Sequence, residues 1–332
     1  MTFVDLPADG TELPLVTLPS CVPALLPAYR DHLPQLHDVC RVRMYDDSIT
    51  DGEEFLRRIG GARLVIVAGF HISDDVLRRA VGNGLECLVF CGTGIANFVN
   101  VALADELGVT LCNAVRYGDA AVAEHTIALL FEIARRVGSQ NRDLHRGEWF
   151  CSSGQLELNG LTLGLVGFGG VAQAVARIAR GLGMRVQVWC RHPRSEVLDR
   201  YQATAVSALD DLFASSDVVS LHLALNEATR GMIGSHELDL LHPGSILLNT
   251  ARAELIAPGA FERRMRRGDI EAGVDVFDHE PLDPDDPVLR LEHVVATPHT
   301  AWRTTQALDN VARQNVDTIR AFFAGSPIHV VR

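Results

Sequence analysis

The chain has 332 residues, enough to bury two cores, and its 47% hydrophobic and 22% charged content is an ordinary globular mix. A formal charge of −12 with no block of basic residues argues against a nucleic-acid ligand. No apolar run approaches the roughly 18 residues of a membrane span.

The start, Met1 to Pro7, has no basic region followed by an apolar core, so no secretory signal is expected. The seven cysteines are scattered with no C-x-x-C, which points to reduced thiols and a cytoplasmic protein. Residues 1–12 read as a polar, poorly ordered lead-in. Strands are expected at Pro14–Leu18, Val39–Tyr45, Arg63–Gly69, Cys87–Cys91 and Val109–Cys112, with helices around 51–59, 73–81 and 99–107. That alternation predicts a small α/β domain with a parallel sheet. Residues 119–136 form a long helix whose apolar positions cover more than one stripe, as at a domain junction or subunit interface. Six strand-like runs alternating with helices follow, starting near Leu161, Arg185, Asp217, Ser245, Glu271 and His293. This is the rhythm of a doubly wound nucleotide-binding sheet. Thr304–Phe323 closes the chain as an amphipathic helix, with Leu308, Val311, Asn315, Ile319 and Phe322 near one face and Gly325 as its stop.

The first of those six runs carries the chemistry. Leu161 to Val166 suits a buried strand, and Val171, Val175, Ile178 and Leu182 recur at helical spacing. Between them lies Gly167-Phe-Gly169-Gly170-Val171-Ala172, a G-x-G-x-x-A. Gly167 permits the tight turn, Gly169 lets the backbone approach a pyrophosphate, and Ala172 keeps the helix near the strand. The free amides and the positive end of the helix dipole then face the phosphates. The second run ends at Cys190, 21 residues after Gly169, where an acid would hold the adenosine ribose of NAD. The residues there are Cys190-Arg191-His192-Pro193-Arg194. With no carboxylate to repel a 2′-phosphate, and with Arg191 and Arg194 able to pair with one, NADP(H) is the preferred cofactor and NAD(H) the alternative.

Three further stretches are informative: residues 246–256 (Ile-Leu-Leu-Asn-Thr-Ala-Arg-Ala-Glu-Leu-Ile), residues 272–281 (Ala-Gly-Val-Asp-Val-Phe-Asp-His-Glu-Pro) and residues 295–302 (Val-Ala-Thr-Pro-His-Thr-Ala-Trp). With the glycine turn, with Ala121-Val-Ala-Glu-His-Thr126 and with Leu221 to Thr229, they resemble the D-isomer-specific 2-hydroxyacid dehydrogenase family over nearly the whole chain. The resemblance implies two Rossmann-like α/β domains with doubly wound parallel sheets. A discontinuous, flavodoxin-like substrate domain (1–115 and 299–332) would carry an inserted nucleotide-binding domain (116–298). It implies a homodimer built partly through the long helix, and a small 2-oxo or 2-hydroxy acid as substrate. The catalytic residues fall on Arg252, Glu280 and His299. Gly167, Gly169, Gly170, Val171, Cys190, Arg191, His222, Thr229, Thr250, Ala251 and Asp275 fall on the cofactor positions. Gly69, Thr93, Gly94 and Trp302, with Arg252 and His299, fall on the substrate positions.

The chemistry needs these types. Arg252 presents a planar fork to a carboxylate and its neighbouring carbonyl. His299 donates a proton to the carbonyl oxygen as hydride arrives, and Glu280 holds the imidazole and favours its charged form. The acids from Asp275 to Asp286 are as dense as those of a calcium loop, but Pro281, Pro284 and Pro287 interrupt them and no glycine takes the sharp turn, so no metal is expected. The wall at Ala68-Gly69-Phe70 is apolar where relatives acting on phosphorylated acids carry basic residues, which argues against such substrates. Ala96, Asn100, Ala224 and Ala253 depart from the family pattern. A formate- or phosphite-type dehydrogenase of the same fold, and a non-catalytic nucleotide-sensing scaffold, are the alternatives.

Overall fold

The structure is a computed structural model that describes residues 3–149 and 154–331. It divides into two compact units, Met1–Gly118 with Arg303–Arg332, and Asp119–Trp302. The first unit contains β1 (Phe3–Asp5), β2 (Leu15–Leu18), α1 (Leu26–His32), β3 (Arg41–Tyr45), α2 (Gly52–Ile59), β4 (Leu64–Val67), α3 (Asp74–Gly82), β5 (Cys87–Phe90), α4 (Val101–Glu106) and β6 (Thr110–Cys112). The sheet order is β1-β3-β2-β4-β5-β6. The central strands β4 and β5 are buried at every residue, which explains why they read as continuous apolar runs rather than alternating ones. Asp51 and Ser73 cap α2 and α3 by accepting first-turn amides, and Gly60 ends α2 in the left-handed region at φ +44°.

The lead-in departs from expectation. Phe3–Asp5 is a strand, antiparallel to β3. Cross-strand pairs hold it: Phe3 against Tyr45 at 5.5 Å between ring centres, and Asp5 accepting two bonds from the Arg43 fork at 2.7 and 2.9 Å. Three residues are too few to show a period, and the partner strand lies about forty positions away, so local pattern could not reveal it.

The second unit contains α5 (Asp119–Arg135), α6 (Val137–His145), β7 (Thr162–Val166), α7 (Gly170–Gly181), β8 (Arg185–Trp189), α8 (Ser195–Arg200), β9 (Ala203–Ala205), α9 (Leu209–Ser215), β10 (Val218–Leu221), α10 (Ser235–Asp239), β11 (Ile246–Asn249), α11 (Ala260–Met265), β12 (Glu271–Val274) and β13 (Val294–Ala296). Its sheet runs β13-β12-β11-β10-β7-β8-β9 with every pair parallel. There are seven strands rather than six. The added one, β9, is Ala-Thr-Ala, with too little apolar surface to register as a strand from its own sequence. Strand order reverses between β7 and β10, so the carboxyl ends of those strands form the topological switch point where ligands bind in such sheets.

Each face of this sheet has its own core. Leu163, Leu165, Ile246 and Leu248 pack with α5 and α7, while Val166, Val219, Leu221 and Leu247 pack with the face of α9 and α11. Gly273 lets α5 lie close on β12: a Cβ there would sit 2.9 Å from the Leu248 side chain and 3.0 Å from that of Leu129. The last helix, α12 (Thr305–Phe323), returns to the first unit. Its Asn315 is fully buried, accepting the Tyr29 hydroxyl at 2.8 Å and donating to the Phe90 carbonyl at 3.3 Å. Among the described residues the cysteines Cys21, Cys40, Cys87, Cys91, Cys112 and Cys190 are free thiols; Cys151 lies outside them. No described helix is long and apolar enough to cross a membrane.

Candidate active site

The carboxyl end of β7 turns at Gly167, whose amide donates to the Trp189 carbonyl at 2.8 Å. Its φ is +95°, and a Cβ there would meet the His222 carbonyl oxygen at 2.7 Å, so only glycine fits. Gly169 is the N-cap of α7 and offers no side chain to the first-turn amides. A Cβ on Gly169 would find no protein atom within 4 Å, so the backbone there is open to a group as broad as a pyrophosphate. Gly170 packs against α5, where a Cβ would overlap the Asp119 carboxylate. Val171 is half-buried and Ala172 fully buried against the sheet. These observations fit a dinucleotide held by its phosphates at α7.

Around this turn, Cys190 is half-buried at the end of β8, and Arg191 and Arg194 are exposed. His222 follows β10. Burial pushes its imidazole down to about 4, so the ring is neutral near pH 7, and it shares a 2.8 Å hydrogen bond with the Ser220 hydroxyl. Thr229 closes its own turn, donating to the Ala224 carbonyl at 2.7 Å and accepting the Asn226 amide at 2.9 Å. Thr250 and Ala251 lead from β11 into Arg252. Asn249 holds that exit: its side chain accepts the Ala251 amide and donates to the Arg252 carbonyl.

Arg252 has extended backbone, and its side chain donates to the Ala251 carbonyl at 2.6 Å. Glu280 follows β12 and His299 follows β13; the Glu280 carboxylate meets His299 Nδ1 at 2.6 Å. The other Glu280 oxygen accepts the Phe277 amide at 3.0 Å. Burial pushes the Glu280 carboxyl up. The His299 hydrogen bond, the Phe277 amide and the charges of His299 and Arg252 more than offset this, so it lies below the ordinary glutamate value. His299 itself is left-handed, at φ +49°, its amide donating to the Thr297 carbonyl at 3.0 Å. A histidine held there is a strained residue that its surroundings over-determine.

Asp275 supplies much of that constraint. It is fully buried, and its carboxylate accepts the Thr297 hydroxyl at 2.6 Å and the Thr300 and Ala301 amides at 2.9 Å each. The sequence places Asp275 among cofactor contacts; in the structure both its oxygens are engaged by the loop that carries His299. Trp302 is half-buried and donates its indole N–H to the His299 carbonyl at 3.1 Å. His299 and Trp302 both fall in the second unit.

The remaining predicted substrate positions lie in the first unit. Gly69 follows β4 at φ +85°, exposed, with Val22 3.2 Å from where its Cβ would be. Thr93 is fixed by its hydroxyl donating to the Ala114 carbonyl and its own carbonyl accepting Asn113 Nδ2. Gly94 caps the short turn Ile95–Asn97. Phe70 beside Gly69 is buried in a stack on Phe55 at 4.4 Å.

Sequence reading misses two side chains beside this site. His125 Nε2 lies 2.8 Å from the Thr297 hydroxyl, and the Thr126 hydroxyl lies 2.8 Å from that of Thr250. Both residues stand in the Ala121–Thr126 motif, but nothing local indicates what an α5 side chain touches more than a hundred residues later. Among the described residues, Asp210, His236 and Glu237 have metal-like spacing. They are engaged as a surface ion pair, His236 with Asp210 at 2.9 Å, and as the cap that Glu237 places on the Gly234 amide.

Residues 127–301 match the family described as D-isomer specific 2-hydroxyacid dehydrogenase, NAD binding domain. The chain belongs to the D-isomer-specific 2-hydroxyacid dehydrogenase family. A hydroxypyruvate reductase of Blautia hydrogenotrophica is 32% identical, over 87% of this chain and 91% of that protein. A glyoxylate reductase of Aeropyrum pernix is 34% identical, over 76% of this chain and 77% of that one. The crystal structure of the TT0316 protein of Thermus thermophilus superposes with a TM-score of 0.80 at 30% identity, covering 96% of this chain and all of that one. As a 2-hydroxyacid dehydrogenase family member, the chain is an oxidoreductase with a nucleotide-binding Rossmann domain of the form described above.

Proposed function

We propose that the protein reduces a small 2-oxo acid to the D-2-hydroxy acid, preferring NADPH over NADH. The observation that carries this is the 2.6 Å bond between His299 Nδ1 and Glu280, with the Arg252 charge acting on the same carboxylate, in the unit whose sheet also carries the open glycine turn. An ionised carboxylate only accepts, so Nδ1 carries the proton and Nε2 faces outward as the acid–base nitrogen. The charged His299 gives its Nε2 proton to the carbonyl oxygen in reduction, and Nε2 takes a proton back in oxidation. Arg252 clamps the carboxylate and stabilises charge growing on the carbonyl oxygen. A bound nicotinamide dinucleotide supplies the hydride. Gly167, Gly169, Gly170 and Val171 would hold its phosphates, and His222, Thr229, Thr250 and Ala251 line the neighbouring strand ends. Asp275 would serve it through the loop it anchors. Arg191 at the end of β8, exposed and without an acid in its turn, supports the 2′-phosphate preference.

The same reading assigns Gly69, Thr93 and Gly94 to the substrate carboxylate and Trp302 to the substrate's side group. Hydroxypyruvate and glyoxylate are the acids named for the relatives above, and both belong to the proposed class. The apolar setting of Phe70 disfavours phosphorylated acids. The protein is proposed to be a cytoplasmic homodimer. The exposed side chains of Phe131, Val137, Leu144, Trp149 and Leu156, on and after α5 and α6, are apolar surface that such a partner would cover. The test is oxidation of NADPH and NADH over a panel of 2-oxo acids, formate and phosphite included, by the wild-type protein and His299→Ala. Turnover of a 2-oxo acid that falls by about 10²- to 10⁴-fold in the variant is expected. A panel with no turnover, or a variant at wild-type rate, overturns the reading.

A further inference from the structure

Two adjacent residues of α5 each reach one of the loops that carry the reacting side chains. His125 meets Thr297, two residues before His299; Thr126 meets Thr250, two residues before Arg252. The direction of each bond follows from the donors. The Thr297 hydroxyl gives its proton to Asp275 at 2.6 Å, so its oxygen accepts from His125, which must carry a proton on Nε2. The Thr126 hydroxyl gives its proton to the Val122 carbonyl at 2.8 Å, so Thr250 donates to Thr126. All four partners are buried or half-buried; Thr126 is fully so and Thr250 nearly so. In such surroundings an unmade bond is costly.

We propose that His125 and Thr126 are positioning residues: together they form a brace on α5 that fixes the separation and aim of Arg252 and His299. The inference rests on the catalytic roles proposed above for those two. Neither brace residue is assigned a contact with substrate in that reading. α5 packs across the sheet on β11, β12 and β13, so one rigid helix references both loop exits. The His125 arm holds Thr297 against the buried Asp275 and, through it, keeps His299 in its left-handed conformation facing Glu280. The Thr126 arm holds the β11 exit from which Arg252 departs. A displacement of about 1 Å in a reacting group costs on the order of 10²-fold in rate, which is the scale such a brace protects.

The experiment compares His125→Ala, His125→Gln, Thr297→Val, the double variant His125→Ala/Thr297→Val and Thr126→Val. Steady-state kinetics with NADPH and hydroxypyruvate give one readout. The other is the downfield Nδ1–H proton resonance of His299 against Glu280, assigned by its loss in His299→Ala. The proposal expects kcat to fall roughly 10- to 100-fold in His125→Ala, with KM for NADPH within about twofold. Thr297→Val, which also removes the bond to Asp275, should fall at least as far, and the double variant no further than Thr297→Val, since the His125 bond is already gone there. His125→Gln, whose amide nitrogen reaches where Nε2 lies, should recover most of the rate. Thr126→Val should raise KM for hydroxypyruvate while leaving the His299 resonance in place. The His299 resonance should be lost or shifted in His125→Ala and Thr297→Val and kept in His125→Gln. Unchanged kcat and resonance in both His125→Ala and Thr297→Val, or additive loss in the double variant, overturns the brace. If the wild type reduces no 2-oxo acid, the function proposed above fails, and the resonance alone still decides the His125 arm. If His125→Ala does not fold, His125→Gln against Thr297→Val decides the arm: the first keeps the bond to Thr297 and the rate, the second removes that bond with the one to Asp275.

Discussion

Glu280→Gln tests the acid–base pair most directly. The substitution keeps shape and removes charge. In the wild type the carboxylate lies 2.6 Å from His299 Nδ1 and about a third of its side chain is exposed. A hydrogen bond to a charged group is worth about 1.5–3 kcal/mol, and partial exposure puts this one near the lower end. About 1.5 kcal/mol is roughly tenfold in rate, because the pair is at full strength only while His299 carries the positive charge. The amide also lets either face turn toward Nδ1, so a loss of up to about 100-fold is compatible with a mis-set tautomer. The pH dependence has a definite sign. The Glu280 carboxyl is held below its ordinary value, the His299 bond and neighbouring charges outweighing burial. It therefore stays ionised to lower pH than a free glutamate. The stability it contributes is present above pH 4.5 and is lost as pH falls through the depressed folded value. The assay is initial-rate NADPH oxidation with hydroxypyruvate from pH 5 to 9, alongside urea midpoints from pH 3 to 7. Glu280→Gln at more than half the wild-type kcat throughout would refute the argument.

The glycine turn makes a paired prediction. Gly167→Ala, at φ +95° with a carbonyl oxygen 2.7 Å from the new Cβ, should lower the thermal midpoint and abolish nucleotide binding. Gly169→Ala meets no protein atom, so it should melt like the wild type yet weaken NADPH by more than tenfold; equal melting of both variants would contradict this. Arg191→Ala should weaken NADPH by about 10- to 100-fold and NADH by less than twofold in fluorescence titrations, whereas equal losses would remove the 2′-phosphate assignment. His222, pushed down to about 4 by burial, binds its proton more readily unfolded. Stability should therefore fall as pH drops from about 6.5 towards 4, by up to about 3 kcal/mol. His222→Gln should flatten that limb of the urea-midpoint profile; an unchanged slope would show that the ring is not held neutral.

How much of this is legible beforehand follows from where the information sits. Strands β4, β5, β7 and β10 to β12 are short apolar runs bounded by turns, α2 and α3 carry side-chain caps, and α7 carries a helical period after its glycine turn, so local chemistry marks them. Gly167 and Gly169 can be named because a positive φ and a close backbone approach each demand glycine. Arg252, Glu280 and His299 can be named only through resemblance, since one arginine, one glutamate and one of thirteen histidines have no local signature of catalysis. What tertiary structure alone decides is pairing at long range. Phe3–Asp5 becomes a strand because β3 offers it a partner, and Ala203–Ala205 because β8 does. Asp275 turns its carboxylate to the loop at 297–301 because burial without those donors would be prohibitive. His125 and Thr126 acquire their partners only when α5 docks on the sheet. The sequence determines the capped helices and the apolar strands, because those preferences act within a few residues. Which buried donor meets which acceptor is settled when the layers close, because that accounting is done across the whole core at once.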